Sequence, residues 1–244
     1  MVSKNTVKQV ASLKMQKYRK ETGLFVVEGR KMVEELLHSD FTMECLYATE
    51  TFIAQHPHFV AAETVSESQM AQMSSHDTPS GLLAVARIPT GTRLSDSAPL
   101  VLALDGIANP GNMGTIIRTA EWFGINDIVC SPDCVELWNP KVIQATMGSV
   151  FRIRLIYKDL PSFLDEKRQQ GKAIMGALLE GKNLFEQRDK AQGVIVIGSE
   201  SHGIRPEVLP YLTHPITIPR ASGSATESLN AAVAAAIIMA ELTR

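Results

Sequence analysis

The sequence predicts an α/β protein of two unequal domains, the second built on a mostly parallel sheet. Three observations support that prediction. Short apolar strands alternate with helical segments along the chain. The strands of the C-terminal part are apolar throughout, which is typical of strands covered by helices on both faces. Between the two parts, residues 89–99 (PTGTRLSDSAP) are rich in Pro, Gly, Ser and Thr and lack periodicity. We therefore expect an N-terminal domain at residues 1–90, a linker at 91–99 and a larger domain at 100–244.

The N-terminal part begins with a basic helix. Apolar residues recur near helical spacing over residues 5–18. Residues 1–20 contain no Asp or Glu, and their basic residues are Lys4, Lys8, Lys14, Lys17, Arg19 and Lys20. Such a segment is either a solvated helix face or a site for an anionic partner, and composition leaves both open. The other elements predicted here are a helix at residues 30–38 and strands at 24–27, 45–48 and 82–88.

The C-terminal part continues the alternation. Strands are predicted at residues 100–104, 127–130, 153–157, 173–178, 194–197 and 216–218. Helices are predicted at residues 114–123, 141–147, 161–169 and 228–242. Ligands of open parallel sheets bind beyond the carboxyl ends of the strands, so we expect the chemistry in the loops that follow these strands.

Composition excludes several classes of protein. The chain has 244 residues, 45% of them hydrophobic and 20% charged, which excludes general disorder. No stretch approaches ~20 apolar residues, so we expect a soluble, cytoplasmic protein without a membrane span. The three cysteines, Cys45, Cys130 and Cys134, suit reduced thiols better than disulfides. No second pair of ligands accompanies them, so we expect no metal site.

The first candidate segment is DGIANPGNMGTIIRTAEWFG, residues 105–124. Gly111 and Gly114 permit backbone conformations that other residues resist. Asn112 offers an amide in the loop, and Arg118 lies in the helix that follows. A strand, a glycine loop and a helix also occur in any doubly wound protein, so this segment alone does not separate structure from function.

The second candidate segment is VIVIGSESHGI, residues 194–204. A strand ends at Gly198, and Glu200 and Gly203 follow at its carboxyl end. A glutamate there can hold a cationic partner or be an ordinary surface acid in a turn. Nothing nearby forms a triad or a metal cluster with His202.

The third candidate segment is ITIPRASGSATESLNAAVAAAIIMAEL, residues 216–242. We expect its helix to begin near Ser228, with Asn230 in the first turn. Free N–H groups at that helix start can receive an electronegative ligand, but Ser228 can equally be a helix cap. The small side chains of residues 231–240 allow close packing, either inside the fold or between two subunits.

In this order, the three segments resemble the three signature motifs of the SpoU family of RNA 2′-O-methyltransferases, which belongs to the SPOUT superfamily. NPGNMGTIIRTA is similar to the first motif, GSESHG to the second and IPRASGSATESLNAAVAAA to the third. Residues 17–37 (KYRKETGLFVVEGRKMVEELL) are similar to the small substrate-binding domain of many members. The second motif often has Gly where this chain has Ser201, and the loop before Ser228 is slightly long.

The resemblance implies a fold, a cofactor and an assembly. The catalytic domain is expected to have a deep trefoil knot, a topology that general rules of chain connectivity disfavour. The N-terminal domain is expected to be a small, L30e-like α/β domain that binds RNA. The expected methyl donor is S-adenosylmethionine, and the expected assembly is a homodimer paired through the knot region.

The resemblance also implies roles for individual residues. The residues implied for the catalytic site are Asn112, Arg118, Glu200, Ser228 and Asn230. The residues implied near the cofactor are Gly198, Ile218 and Leu229. For contact with RNA phosphates, the expected residues are Lys14, Lys17, Arg19 and Arg30.

The chemistry refines the role of Arg118. Attack of a ribose oxygen on the methyl carbon of a sulfonium depends on held geometry and a dry site more than on strong charge stabilisation. An arginine stays protonated and is a poor base. We therefore expect Arg118 to clamp a phosphate and stabilise the developing alkoxide, rather than to accept the proton.

The sequence thus predicts S-adenosylmethionine-dependent methyl transfer to a ribose 2′-hydroxyl of structured RNA. Analogy with two-domain members favours ribosomal RNA over transfer RNA. A non-catalytic RNA-binding protein would explain the basic segment but not the third motif. An oxidoreductase would need a glycine fingerprint followed by an acid about twenty residues later, and neither is present.

Overall fold

The computed structural model describes residues 2–186 and 192–244. The helices are α1 (Lys4–Ser12), α2 (Gln16–Thr22), α3 (Arg30–Leu37), α4 (Glu50–Gln55), α5 (Glu67–Met73), α6 (Pro110–Trp122), α7 (Pro140–Thr146), α8 (Leu160–Gln169) and α9 (Ala231–Thr243). The strands are β1 (Leu24–Glu28), β2 (Met43–Thr49), β3 (Glu63–Val65), β4 (Leu82–Arg87), β5 (Leu100–Asp105), β6 (Asp127–Cys130), β7 (Arg154–Tyr157), β8 (Ala173–Asn183), β9 (Gly193–Gly198) and β10 (His214–Thr217). Within the described residues, no helix is long and apolar enough to cross a membrane.

The contacts within the chain group the residues into two units, each with its own sheet. The first unit comprises Met1–Gly91 and Glu136–Arg152, and the second comprises Thr92–Val135 and Ile153–Arg244. Helix α7 therefore packs in the first unit, although its sequence lies between β6 and β7 of the second. These units are defined by contacts within the chain. The domain boundaries that the sequence predicts, 1–90, 91–99 and 100–244, concern domains that fold or act independently, and they remain a prediction.

The first unit is built on a mixed sheet with the strand order β1-β4-β2-β3. Strands β1 and β2 run antiparallel to β4, and β3 runs parallel to β2. Helices α1 and α5 bury their apolar stripes, including Val7, Val10 and Met70, against strand residues such as Tyr47 and Val85. Burial of this stripe explains the helical periodicity of the basic segment.

The helix expected over residues 5–18 is two helices. Helix α1 ends at Ser12, and α2 begins at Gln16 after an extended Met15. The Arg19 guanidinium donates to the carbonyls of Leu13, at 2.7 Å, and Lys14, at 2.9 Å, and so satisfies backbone acceptors that the break leaves without helical partners. The same guanidinium pairs with Glu136, and Arg19 is only 2% exposed. The expectation that Arg19 contacts RNA is therefore wrong, because its charge is buried and already paired.

The second unit confirms the predicted α/β fold with a parallel sheet. Among the described residues, six strands form one sheet in the order β10-β8-β9-β5-β6-β7, and all neighbours run parallel. Every residue of β5 is buried, as are the first five of β9, because these strands lie in the middle of the sheet. The near-continuous apolar runs follow from this position.

The edge of this sheet differs from the prediction. Strand β8 extends to Asn183, five residues beyond the expected end, and its register with β10 shifts between Pro215 and Ile216. The strands approach closely at Gly181, where a Cβ would lie 2.8 Å from the carbonyl carbon of Pro215. Pro215 is tolerated because β10 is an edge strand, where a missing N–H need not interrupt the pairing.

Candidate active site

The three candidate segments meet at the carboxyl edge of the parallel sheet. The first begins at the last residue of β5, and the second comprises most of β9 and the loop after it. These strands are neighbours, with Asp105 paired opposite Gly198. The third begins in β10 and continues into α9, which packs against α6. Loops that are distant in the sequence therefore surround one site, as expected for a parallel sheet.

Glu200 is the centre of this site. Its Oε1 accepts a hydrogen bond from Asn112 Nδ2 at 2.6 Å and another from Asn230 Nδ2. The backbone N–H of Ala231, at the start of α9, lies 3.4 Å from the same oxygen. Asn230 Nδ2 also donates to Asn112 Oδ1 at 3.1 Å. One residue from each segment thus joins a single network, and the positive end of α9 favours the carboxylate charge.

Asn112 lies in the first turn of α6, rather than in a loop before it. The sequence pattern predicts a helix from Gly114, but the helix begins at Pro110. The Asn109 side chain caps it by accepting the N–H of Asn112 at 3.0 Å, and Pro110 occupies the first helical position. The Asn-Pro pair in the sequence is a recognised helix-start signal and could have located this boundary.

Asn230 is the N-cap of α9, so the helix expected from Ser228 begins later, at Ala231. The Asn230 Oδ1 accepts the N–H groups of Ala232, at 3.0 Å, and Val233, at 3.3 Å. Its amide nitrogen remains available for Glu200 and Asn112. The alternative role of Ser228 as the helix cap is wrong, because Asn230 fills that position.

The structure does not join Arg118 and Ser228 to this network by hydrogen bonds among the described residues. Arg118 is exposed on α6, six residues after Asn112, which corresponds to about 9 Å along the helix axis. Ser228 is exposed in the loop between β10 and α9. Both side chains lie in segments that border the site, and their catalytic roles stay predictions.

The three residues expected near the cofactor follow strand ends at this edge. Gly198 ends β9, and a Cβ there would lie 2.1 Å from the carbonyl carbon of Gly203. Two backbone hydrogen bonds between Ser199 and Gly203, at 3.0 and 2.9 Å, close the loop that carries Glu200. Ile218 is half-buried just after β10, and Leu229 is 44% exposed. Only glycine fits at position 198 without opening this loop.

A buried ion pair at the end of β5, next to the Glu200 loop, is not predicted by the local sequence patterns. Asp105, the last residue of β5, is fully buried and accepts hydrogen bonds from Arg205, which follows the Glu200 loop. A lone acid at the end of an otherwise apolar strand was the available signal, because a buried carboxylate requires a partner. Its partner, 100 residues away, could not be read from local spacing.

The cysteines beside the first segment are free thiols, as expected. Cys134 Sγ accepts the N–H of Ile107 at 3.2 Å, in the loop after β5. A hydrogen bond from Cys130 and further ones from Ser131 and Ile107 lower the pKa of Cys134 to about 7, although burial opposes this. Burial raises the pKa of Cys130 well above its ordinary value.

Three of the cations expected to contact RNA are exposed on the first unit. Lys14 donates to the Gln72 carbonyl at 2.9 Å, Lys17 lies 3.9 Å from Glu21, and Arg30 pairs with Glu34 at 2.7 Å. Such exposed pairs are weak and can exchange for phosphate contacts. In residues 2–186 and 192–244, no cluster of three or more His, Cys, Asp or Glu side chains could hold a metal ion.

Both parts of the chain match models of known protein families. Residues 99–240 match the model of the SpoU rRNA Methylase family, and residues 4–84 match an MRM3-like substrate binding domain. Among curated proteins, the 23S rRNA (guanosine(2553)-2′-O)-methyltransferase RlmP of Bacillus subtilis is 31% identical over 239 residues, which cover 97% of this chain and 95% of that protein.

Solved structures agree with this match. A structure assigned to the TrmH family of RNA methyltransferases, from Porphyromonas gingivalis, is 37% identical, with a TM-score of 0.87 over 99% of this chain and 98% of that one. An AdoMet-bound rRNA methyltransferase from Sinorhizobium meliloti is 27% identical, with a TM-score of 0.82 over 99% of this chain and 96% of that one. The chain therefore belongs to the SpoU family of rRNA methylases.

Proposed function

We propose that this protein transfers a methyl group from S-adenosylmethionine to a ribose 2′-hydroxyl of ribosomal RNA. The observation that supports this most directly is the network in which Glu200 binds Asn112 and Asn230. It contains one residue from each of the three family motifs, at the sheet edge where ligands of such folds bind. The similarity to a 23S rRNA 2′-O-methyltransferase supports the substrate class.

In this proposal the protein acts mainly by positioning. Bound S-adenosylmethionine supplies an electrophilic methyl group, and the residues proposed to contact it are Gly198, Ile218 and Leu229. The exposed apolar side chain of Leu229 and the close backbone at Gly198 suit the flat adenine ring of this cofactor. Glu200 fixes the amides of Asn112 and Asn230, and the Ser228 hydroxyl completes the polar surface that orients the ribose.

Arg118 is proposed to contact the RNA at the reacting ribose. It is exposed on α6, and because a guanidinium is a poor base, a phosphate clamp suits it better than proton abstraction. We expect Arg118→Lys to lose most of its turnover while S-adenosylmethionine affinity stays unchanged. Full turnover in that variant would remove Arg118 from the mechanism.

The first unit is proposed to supply RNA affinity as an L30e-like domain. Lys14, Lys17 and Arg30 are exposed and able to reach phosphates, whereas the buried Arg19 is not. The many apolar contacts of α1 mean that deletion of the basic segment would remove core residues, so point substitutions are the appropriate test.

A homodimer, a trefoil knot in the second unit and a cytoplasmic location complete the proposal. The dimer is supported by α9, which is apolar on its outer face as well as its buried one, with Val233 49% exposed. A helix that is apolar on all of its faces favours contact of its exposed face with a second subunit. Sedimentation of a Val233→Glu variant tests this proposed pairing. A dimer that pairs through α9 should dissociate into monomers, whereas unchanged sedimentation would contradict pairing through α9.

The decisive experiment is methyl transfer with labelled S-adenosylmethionine and unmodified RNA. We expect labelled 2′-O-methyl ribose in ribosomal RNA and little label in transfer RNA. Equal labelling of both would contradict the proposed substrate. RNA binding without any transfer would support the alternative, a non-catalytic RNA-binding protein.

A further inference from the structure

The buried ion pair between Asp105 and Arg205 anchors the loop that carries Glu200. Asp105 Oδ2 accepts the backbone N–H of Arg205 at 2.8 Å, and Oδ1 accepts from the Arg205 Nε at 2.7 Å. A second guanidinium nitrogen lies 2.7 Å from Oδ1. Asp105 is fully buried, so these contacts with a single residue supply the charge and the donors that its carboxylate needs.

The same aspartate lies beside both ends of the loop. Where β9 ends, Gly198 pairs opposite Asp105 in the sheet, and the loop leaves the sheet there. The loop closes on itself through Ser199 and Gly203 and returns at Arg205, which binds Asp105 directly. Glu200 is thus held in a short closed segment whose two ends meet at one buried carboxylate.

The charges around Arg205 strengthen this anchor. Burial of the guanidinium favours a lower pKa for Arg205, but the hydrogen bond and charge of Asp105, with the charges of Asp133 and Glu207, raise that pKa above its ordinary value. Asp133 and Glu207 each lie 3.5 Å from the guanidinium. The arginine therefore stays charged and held from several directions.

We infer that Asp105 and Arg205 are positioning residues, which fix the Glu200 loop so that its carboxylate lies against Asn112 and Asn230. The inference rests on the proposed function for its catalytic consequence, but not for its structural one. Neither residue belongs to the network itself. Their effect on catalysis is expected because a displacement of about 1 Å at a reacting site can lower a rate about a hundredfold.

The unit contains a matched control pair. Asp127 begins β6, is 2% exposed and binds Arg154 through two hydrogen bonds of 2.8 and 2.6 Å. It also accepts the N–H of Ser95 at 2.8 Å, so its environment closely resembles that of Asp105. Because Asp127 lies at the opposite end of the strands, Asp127→Asn removes a comparable buried charge without touching the Glu200 loop.

The first test is amide hydrogen exchange of the peptide that spans residues 199–204, and it requires no activity. We expect Asp105→Asn to speed exchange in this peptide at least about tenfold, because asparagine has one acceptor oxygen where Asp105 uses two. Asp127→Asn should leave the peptide unchanged. Equal exchange in the Asp105→Asn variant and the wild type would overturn the inference, whether or not the protein proves to be a methyltransferase.

The second test measures kcat in a double-mutant cycle with Glu200→Gln. Asp105→Asn should lower kcat by about tenfold to a hundredfold in the wild-type background, but only slightly once Glu200→Gln has removed the carboxylate that the loop positions. Asp127→Asn should have little effect in either background. Additive losses for Asp105→Asn would show a general structural role and overturn the inference. If Asp105→Asn fails to fold, Arg205→Lys, which keeps a charge opposite Asp105, enters the same two tests.

Discussion

Substitution of Asn230 tests how the candidate site is assembled, because this side chain both caps α9 and binds Glu200. Asn230→Ala removes the two cap hydrogen bonds, to Ala232 at 3.0 Å and Val233 at 3.3 Å, together with the donor to Glu200. Loss of an N-cap costs about 1 kcal/mol. In a chain of this length, that corresponds to a fall in Tm of about 2–4 °C.

Asn230→Asp separates the two roles. The new carboxylate still accepts the N–H groups at the start of α9, so the cap remains. It no longer donates to Glu200, however, and adds a second negative charge beside it. Two like charges this close repel each other in the folded protein. The variant should therefore be destabilised near neutral pH, and should regain stability as the pH falls from neutral toward about 4, where carboxyl groups take up protons.

Thermal unfolding of the two variants and the wild type, followed over this pH range, measures both effects. Asn139→Asp is a matched control, because Asn139 caps α7 by accepting the N–H of Lys141 at 2.9 Å, and α7 belongs to the first unit whereas Glu200 belongs to the second. It should show no comparable loss at neutral pH. An Asn230→Asp variant that unfolds like the wild type at every pH would refute the close approach of Asn230 to Glu200.

Three further predictions concern other parts of the molecule. In Gly198→Ala, the added carbon would collide with the Gly203 carbonyl carbon, so kcat should fall at least about tenfold; an unchanged kcat in a methyl-transfer assay would contradict the geometry of this loop. Alkylation of Cys134, followed by mass spectrometry, should rise with pH about a midpoint near 7, whereas Cys130 should stay unmodified there; equal labelling of the two thiols would contradict their opposite pKa shifts. A triple variant replaces three exposed cations, Lys14, Lys17 and Arg30, by alanine. It should bind RNA more weakly, and the slope of its log affinity against log salt concentration should be smaller by about 2. An unchanged slope would exclude these side chains from contact with phosphates.

Local patterns predicted most of the second unit, because its central strands β5 and β9 are almost entirely apolar. The buried runs of β5 and β9 are long enough to be recognised without knowledge of their neighbours. The edge was harder to predict. The extension of β8 and the register shift at Pro215 depend on the close approach of β10, which no local window contains.

The basic segment shows how a correct local pattern can support a wrong role. Helical spacing and a run of cations are both present, and the helical content is confirmed for α1 and α2. Arg19, however, is drawn into the interior by the free carbonyls of Leu13 and Lys14 and by Glu136, a residue 117 positions away. From the sequence alone, Arg19 is expected to be an exposed charge, because its partner Glu136 lies beside it only in the folded chain.

The candidate site depends on contacts that are even more distant in sequence, and this determines what its residues must be. Asn230 accepts from α9 with its oxygen and donates to Glu200 with its nitrogen, so folding of the helix and placement of the carboxylate use one side chain. A serine could cap the helix, but its single hydroxyl proton could not serve both Glu200 and Asn112. An aspartate could cap it too, but would repel Glu200. Asparagine alone among the strong N-cap residues provides an acceptor for the helix and two donors for the site. The requirement for asparagine at this position therefore follows from the demands of the helix and the site together, and neither demand alone would specify it.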